Sequence, residues 1–311
     1  MTLIIALISA RRAILVSDRR LSSSGKLFDD EKNKATVLFC ADGRVAVAFT
    51  GLAIAGQFQT SQVLLRVLAE ADKADHLLLP TVQQFAMLMS DEIKNLRIPA
   101  AAKHLRFIFA GYRYEQSTAM PVLIQVTNVA DSTGAVQTVA GEKFLIWTAR
   151  DPLLIGSFGF GTTAGVAPAD RAKLKELLLQ DRPGEALVDK AVDTIRNAAD
   201  SPRSRNAVGK QCMSIVVPLQ GGVLAAYHSA DPKNKLYQPS VVMSTPNASF
   251  TIQGGSIEQL FGVAPHADRL RNMWRNSLLS SQLTIFVAPR QSRAPARKLR
   301  TVALGRRRAK K

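Results

Sequence analysis

Thr2 becomes the first residue of the chain wherever the initiator Met1 is removed. A terminal threonine carries a hydroxyl able to attack a carbonyl and, on the adjacent carbon, an α-amine able to take the hydroxyl proton. That amine titrates near pH ~7.7–8, so much of it is available as base at neutral pH. A threonine hydroxyl is a weak nucleophile until a base activates it, and the terminal amine of the same residue is one such base. Three further residues stand at the ends of apolar runs. Asp18 ends the second, in Ser17-Asp18-Arg19-Arg20, and Lys34 opens the third, in Asn33-Lys34-Ala35. Gly51 closes the fourth, in Phe49-Thr50-Gly51. Neighbouring strands lie about 4.7–4.9 Å apart, so strand ends at one sheet edge place Asp18 and Lys34 beside the start of the first strand. Taken singly, an Asp at a strand end is a turn former and a lone Lys is solvated surface. Together, at these positions, they point to chemistry.

The elements that must position these residues follow from period and turn signals. Residues 3–9 and 12–17 read as a hairpin across Ala10-Arg11. Residues 35–40 and 45–50 flank Ala41-Asp42-Gly43-Arg44, where Asp-Gly is a strong turn signal. Residues 52–73 switch to helical spacing, and Pro80 starts a second helical stretch over 81–96. Strand character returns at 105–112, 121–127 and 143–148, followed by a glycine-rich turn over 156–161. Helical segments at 168–180 and 184–199 precede a closing hairpin, 212–218 with 223–228. Runs of strands followed by runs of helices predict an α+β fold rather than alternating βαβ units. The expected architecture is a four-layer αββα sandwich: two antiparallel sheets face to face, each with a helix pair outside.

Beyond residue 230 the signals weaken. Candidate strands at 240–243, 249–252 and 282–287 accompany an amphipathic helix over 256–279, interrupted by Gly262 and Pro265. The expected organisation is a catalytic domain over 1–230, an appendage of unread role over 231–289, and a basic tail over 290–311.

The series Thr2, Ser17-Asp18-Arg19-Arg20, Lys34 and Thr50-Gly51 resembles the proteasome β-subunits and their bacterial relative, the HslV peptidase. These are N-terminal-nucleophile (Ntn) hydrolases. In that family the Asp lies sixteen residues after the Thr, and the Lys sixteen after the Asp, the spacings found here. Arg20 falls where the β-subunits carry an arginine two residues past the Asp. Gly51 matches the glycine whose N–H forms the oxyanion hole, about three residues further on than in the β-subunits. Arg106–Tyr112 with Pro121–Val126 resembles the family's central strand pair. Ile155-Gly156-Ser157 resembles its Gly-Ser turn, whose serine belongs to the active-site network. Asp200 corresponds to a second supporting Asp, although Ser201–Val208 departs from the family pattern. The resemblance spans residues 2–228 and is specific in the first fifty.

The resemblance implies a role for each residue. Thr2 Oγ attacks the scissile carbonyl, and the Thr2 amine accepts the proton and returns it to the leaving amine. Lys34, a cation beside both groups, lowers their pKa values by repelling their protonated forms. Asp18 orients Lys34, and the Gly51 N–H stabilises the oxyanion.

Composition bounds the alternatives. The chain has 311 residues, 47% hydrophobic and 21% charged, enough for one large or two small cores. No apolar run reaches 18 residues, so no membrane span is expected. The apolar start is followed, not preceded, by Arg11-Arg12, unlike a secretory leader, and the expected location is cytoplasmic. Net charge is +17, but ten basic residues and no acid fall at 290–311, leaving +7 elsewhere. That tail lacks the apolar content to repay ordering and is expected to be disordered, either as a solubilising segment or as a nonspecific polyanion contact. Cys40 and Cys212 form neither a metal motif nor a disulfide framework. His76, His104, His228 and His266 lack ligand spacing, so no metal and no cofactor is expected. The glycines at 156–161 lack the Gly-Lys-Ser/Thr of a phosphate loop.

The expected function is that of a threonine peptidase cutting polypeptides through an acyl-enzyme. As the resemblance implies, it would form a homo-oligomeric ring and accept an ATPase unfoldase as partner. The alternatives are an Ntn amidase acting on small amides, or a catalytically silent assembly protein with a nucleic-acid-binding tail.

Overall fold

The computed structural model describes residues 2–23, 26–30, 32–73, 76–115, 118–130, 139–149, 154–159, 166–204, 206–228, 230, 240–245, 248–252 and 287–289. Met1, the expected helix over 256–279 and the basic tail lie outside them. The N-terminal strands are β1 (Leu3–Ile8), β2 (Arg12–Asp18), β3 (Leu21–Ser23), β4 (Lys26–Asp29), β5 (Ala35–Cys40) and β6 (Gly43–Gly51). Two short strands, β7 (Ile54–Ala55) and β8 (Phe58–Gln59), lead into α1 (Thr60–Asp72) and α2 (Leu78–Lys94). Next come β9 (Leu105–Glu115), β10 (Thr118–Thr127), β11 (Leu145–Ala149) and β12 (Leu154–Gly159). Helices α3 (Pro168–Leu179) and α4 (Gly184–Asp200) precede β13 (Cys212–Pro218) and β14 (Leu224–His228). The described chain ends with β15 (Ser240–Thr245), β16 (Ala248–Ile252) and β17 (Val287–Pro289).

The result is a mixed α/β fold. One sheet has the order β12-β1-β2-β13-β14-β17 and the other β11-β10-β9-β6-β5-β15-β16. Strand β1 shows how sequence dictates packing. It is apolar and buried at every position, because successive side chains serve opposite faces and both faces are covered. Ile4, Ala6 and Ile8 join Ala35, Val37, Ala46, Ala48 and Ile108 of the other sheet in one cluster. Leu3, Ile5 and Leu7 pack instead with Leu174, Leu178, Leu187, Val188 and Ile195 of α3 and α4. The other sheet treats its helices likewise: Val45, Val47, Phe49 and Phe107 share a cluster with Leu64, Leu68, Val82, Phe85 and Met89 of α1 and α2. Among the described residues, no helix is long and apolar enough to cross a membrane.

Several expectations change. The sheets are not wholly antiparallel, since β15 runs parallel to β5 and β17 parallel to β14. Strands arriving from a distant part of the chain are free of the hairpin constraint that forces antiparallel pairing. Helix α1 begins at Thr60, because residues 54–59 form the small β7–β8 hairpin. Gly56 turns that hairpin with φ 60°, a conformation glycine adopts without a Cβ penalty. Helix α2 begins at Leu78, before Pro80, since the first helical turn needs no N–H from proline. The segment read as a glycine-rich turn is largely strand: β12 pairs along the whole of β1, from Leu3 opposite Gly159 to Ile8 opposite Leu154. Without it, the outer backbone groups of β1 would lack partners in a buried setting.

Candidate active site

Three strand termini converge at one end of the two sheets. Asp18 is the last residue of β2, Lys34 immediately precedes β5, and Thr2 immediately precedes β1. All three are buried, Thr2 with 4% of its surface exposed, Lys34 with 1% and Asp18 with none. Lys34 reaches across from the other sheet, and its Nζ donates to Thr2 Oγ1 at 2.7 Å. The same Nζ donates to Asp18 Oδ2 at 3.3 Å and to the Arg20 backbone carbonyl. Thr50, near the end of β6, donates its hydroxyl to the Thr2 carbonyl at 2.9 Å. The backbone and the hydroxyl of Thr2 are thereby each held from the opposite sheet.

Asp18 is the hub of the arrangement. Its Oδ1 accepts the Leu3 N–H at 2.8 Å. Its Oδ2 accepts the Arg20 N–H at 3.0 Å and the Gly209 N–H at 3.1 Å. Together with Lys34, these contacts tie the start of β1, the end of β2, the entry to β5 and the segment before β13 to one carboxyl group.

Burial pushes the Lys34 ammonium below the ordinary lysine value, opposed by the charge and hydrogen bond of Asp18 and reinforced by the neighbouring Arg19 cation. Its three acceptors match the three donors of a charged ammonium, whereas a neutral amine has only two N–H groups. The geometry therefore favours a cation whose proton is held less tightly than in water. A cation donating to one lone pair of Thr2 Oγ1 favours the oxyanion over the hydroxyl and directs the hydroxyl proton elsewhere.

The other sequence-derived candidates fall in different places. Gly51 ends β6, next to Thr50, with φ 113°, a left-handed conformation that favours glycine. This puts the Gly51 peptide at the same sheet end as Thr2. Arg20 contributes through its backbone, while its guanidinium pairs with Asp30 at 2.7 and 2.9 Å. That hydrogen bond raises the Arg20 pKa, opposed by burial. The Ser157 backbone lies opposite Ile5, inside the β1–β12 ladder rather than in a turn. Asp200 is not drawn to the cluster: it forms an ion pair with Lys210, and its side chain is 62% exposed. The connection that follows it contributes the Gly209 N–H instead.

Sequence reasoning assigned no role to Thr50, Gly209 or Arg19. A Cβ on Gly209 would lie 2.6 Å from Arg20 Cβ and 3.1 Å from Asp30 Oδ1, so the close approach to Asp18 requires glycine. Arg19 is fully buried; its guanidinium stacks 4.8 Å from the Tyr227 ring centroid, and its Nε donates to the Lys32 carbonyl at 3.4 Å. Through Lys32 it holds the irregular segment that enters Lys34 against the end of β2. The run Asp18-Arg19-Arg20 carried a signal only in being unusually charged at a strand end.

No protein-family model matches the chain, and no curated protein matches it. Among solved structures, the chain resembles Anbu (ancestral beta-subunit) from Yersinia bercovieri at 12% identity, with a TM-score of 0.45. The match covers 90% of this chain and 95% of that one.

Proposed function

We propose that this protein is a threonine-type peptidase of the Ntn class, with Thr2 exposed by removal of Met1. The observation that carries the proposal is the 2.7 Å contact of Lys34 Nζ with Thr2 Oγ1, made by a lysine that Asp18 holds in place. A hydroxyl next to a buried cation, on a residue whose own nitrogen becomes a free amine, is a nucleophile with its base attached.

In this reading Thr2 Oγ attacks the peptide carbonyl while its proton passes to the α-amine. The tetrahedral oxyanion is met by the Gly51 N–H, a donor of a kind whose loss removes ~2.7–4 kcal/mol of stabilisation. Collapse expels the leaving amine, which takes the proton from the α-amine, and leaves an ester on Thr2. Water then attacks the ester by the same proton route in reverse. The two sheets sharing an apolar cluster, with helix pairs on their other faces, support the four-layer αββα arrangement of this class. The substrate is an unfolded polypeptide, the subunits close into a homo-oligomeric ring, and an ATPase unfoldase delivers substrate.

The test begins with an intact mass, which should lack Met1. Thr2→Ala should keep the fold and abolish hydrolysis of fluorogenic peptides, whereas undiminished turnover would remove Thr2 from the mechanism. Cleavage confined to small amides, with peptides untouched, would replace the peptidase by an amidase.

A further inference from the structure

Ser17 is fully buried, and its Oγ has no hydrogen-bond partner among the described residues. Buried hydroxyls in native proteins are rarely left in that state, and one that is calls for an explanation. Its position supplies one. Ser17 lies opposite Ile4 of β1 and opposite Met213 of β13. Ala13 and Leu15, which share its face of β2, belong to the cluster between the sheets, as do Ile4 and Met213. The Ser17 hydroxyl therefore faces that space at the strand end nearest Thr2. Thr2, two residues before Ile4, presents its own hydroxyl to the same space, where Lys34 meets it.

Diagonal neighbours on one face of an antiparallel pair lie about 7–8 Å apart. A serine hydroxyl, a backbone nitrogen and one hydrogen bond together cover that distance. While Met1 is attached, the Thr2 nitrogen is an amide with one N–H. Once Met1 is removed it becomes an ammonium with three donors that need acceptors. Asp18 already accepts four bonds, and Lys34 offers only donors there. Resting on the reading of Thr2 as nucleophile, we infer that Ser17 Oγ is the acceptor for the freed Thr2 α-amine and is thus a positioning residue of the site. It holds the amine on the inter-sheet side, turned toward the Thr2 hydroxyl whose proton it must take.

The charged groups at this end of the sheets are Asp18 and Lys34, in direct contact with Leu3 and Thr2, Arg19 just past the end of β2, Arg20 paired with Asp30, and Arg106, opposite Thr50 in the other sheet and on the face of β9 that Ile108 and Ala110 present to the inter-sheet cluster. Substituting Ser17 alters none of these, which makes the experiment specific. The full chain, released from an N-terminal fusion so that Thr2 comes first, is labelled with ¹³C-threonine, and the Thr2 amine is titrated by NMR. Losing an acceptor for the charged form should lower the amine pKa by about one unit in Ser17→Ala. Ser17→Thr keeps the hydroxyl and should titrate as wild type. The acidic limb of the peptidase pH profile should move with the amine. A Ser17→Ala protein that titrates as wild type and melts higher would overturn the inference, since the hydroxyl would then be only an unsatisfied group in the core. If peptides are not cleaved but the Ser17→Ala shift is present, the peptidase reading falls and the Ser17 assignment stands. Cleavage with an unshifted amine gives the reverse result.

Discussion

Removing either member of the buried Asp18–Lys34 pair should abolish the proposed peptidase activity, but only one removal should threaten the fold. Asp18→Ala strands the Lys34 ammonium together with the N–H groups of Leu3, Arg20 and Gly209 that the carboxyl group now accepts. Breaking a buried ion pair from one side costs about 3–5 kcal/mol, and each abandoned buried donor adds a further penalty of about 1–3 kcal/mol where relaxation cannot relieve it. The loss should be no less than about 5 kcal/mol. Lys34→Met leaves Asp18 with its three backbone donors, fills the channel with an unbranched apolar chain, and removes the desolvation of a cation. Its loss should stay near ~1–2 kcal/mol. At about 2–4 °C per kcal/mol for a domain of this size, Asp18→Ala should lower Tm by at least about 10–20 °C and Lys34→Met by about 2–8 °C. Thermal melts followed by circular dichroism give the comparison, and fluorogenic peptide hydrolysis should be lost in both. Equal melting temperatures for the two variants would refute the assignment of Asp18 as the structural hub.

The remaining predictions use the same geometry. Because burial depresses the Lys34 pKa below its unfolded value of 10.5, the unfolded chain binds more protons than the folded one between the two values. Stability from this group therefore rises with pH through that window, with the burial penalty fully present below it. Urea titrations of wild type and Lys34→Met from pH 7 to 10.5 should show wild type gaining relative to the variant; a constant difference would mean that Lys34 keeps an ordinary pKa. Gly209→Ala forces a methyl to within 2.6 Å of Arg20 Cβ and should cost about 1–3 kcal/mol with at least tenfold lower turnover, read by melts and peptide assays. Full activity there would show that the Gly209–Asp18 bond is dispensable.

The legible part of the site was the part written at strand ends. Thr2, Asp18 and Lys34 each border an apolar run, so period and turn signals alone were enough to align them at one sheet edge. Gly209 was illegible because its contact with Asp18 spans 191 positions and leaves no local trace beyond one glycine in an irregular stretch. Arg19 and Arg20 are alike in sequence, yet Arg20 forms a partly exposed ion pair with Asp30 while Arg19 is buried against Tyr227, a difference set by tertiary contacts that the local sequence does not carry. Strand β12 was hidden by its glycines, which suggest a turn when the pairing partner β1 is not in view. Asp200 was misleading for the opposite reason: its position in the chain suited the site, but Lys210 offers a solvated partner close by.

The far end of the sheets explains how strand ends can meet with the accuracy that the proposed proton transfer at Thr2 demands. Arg44, at the opposite end of β6 from Thr50, donates to the Pro218 and Leu219 carbonyls at 2.9 and 2.7 Å and to the Gly221 carbonyl. It thereby fastens the β5–β6 turn to the β13–β14 turn. Tyr112 of β9 donates to the Ser9 carbonyl at 2.7 Å, and Tyr114 to the Leu219 carbonyl at 3.1 Å. These bonds pin one sheet to the other at one end, while the inter-sheet cluster fills the space between. With register fixed along every ladder, the separation of Thr2 from Lys34 at the other end is no longer free to vary. A site built on strand ends held in this way is more accurately placed than one built on loops. The separation of Lys34 Nζ from Thr2 Oγ1 is thus a property of both sheets. Loosening the Arg44 fastening, some seven residues along β6 from the site, should therefore lower turnover without altering any residue that touches substrate.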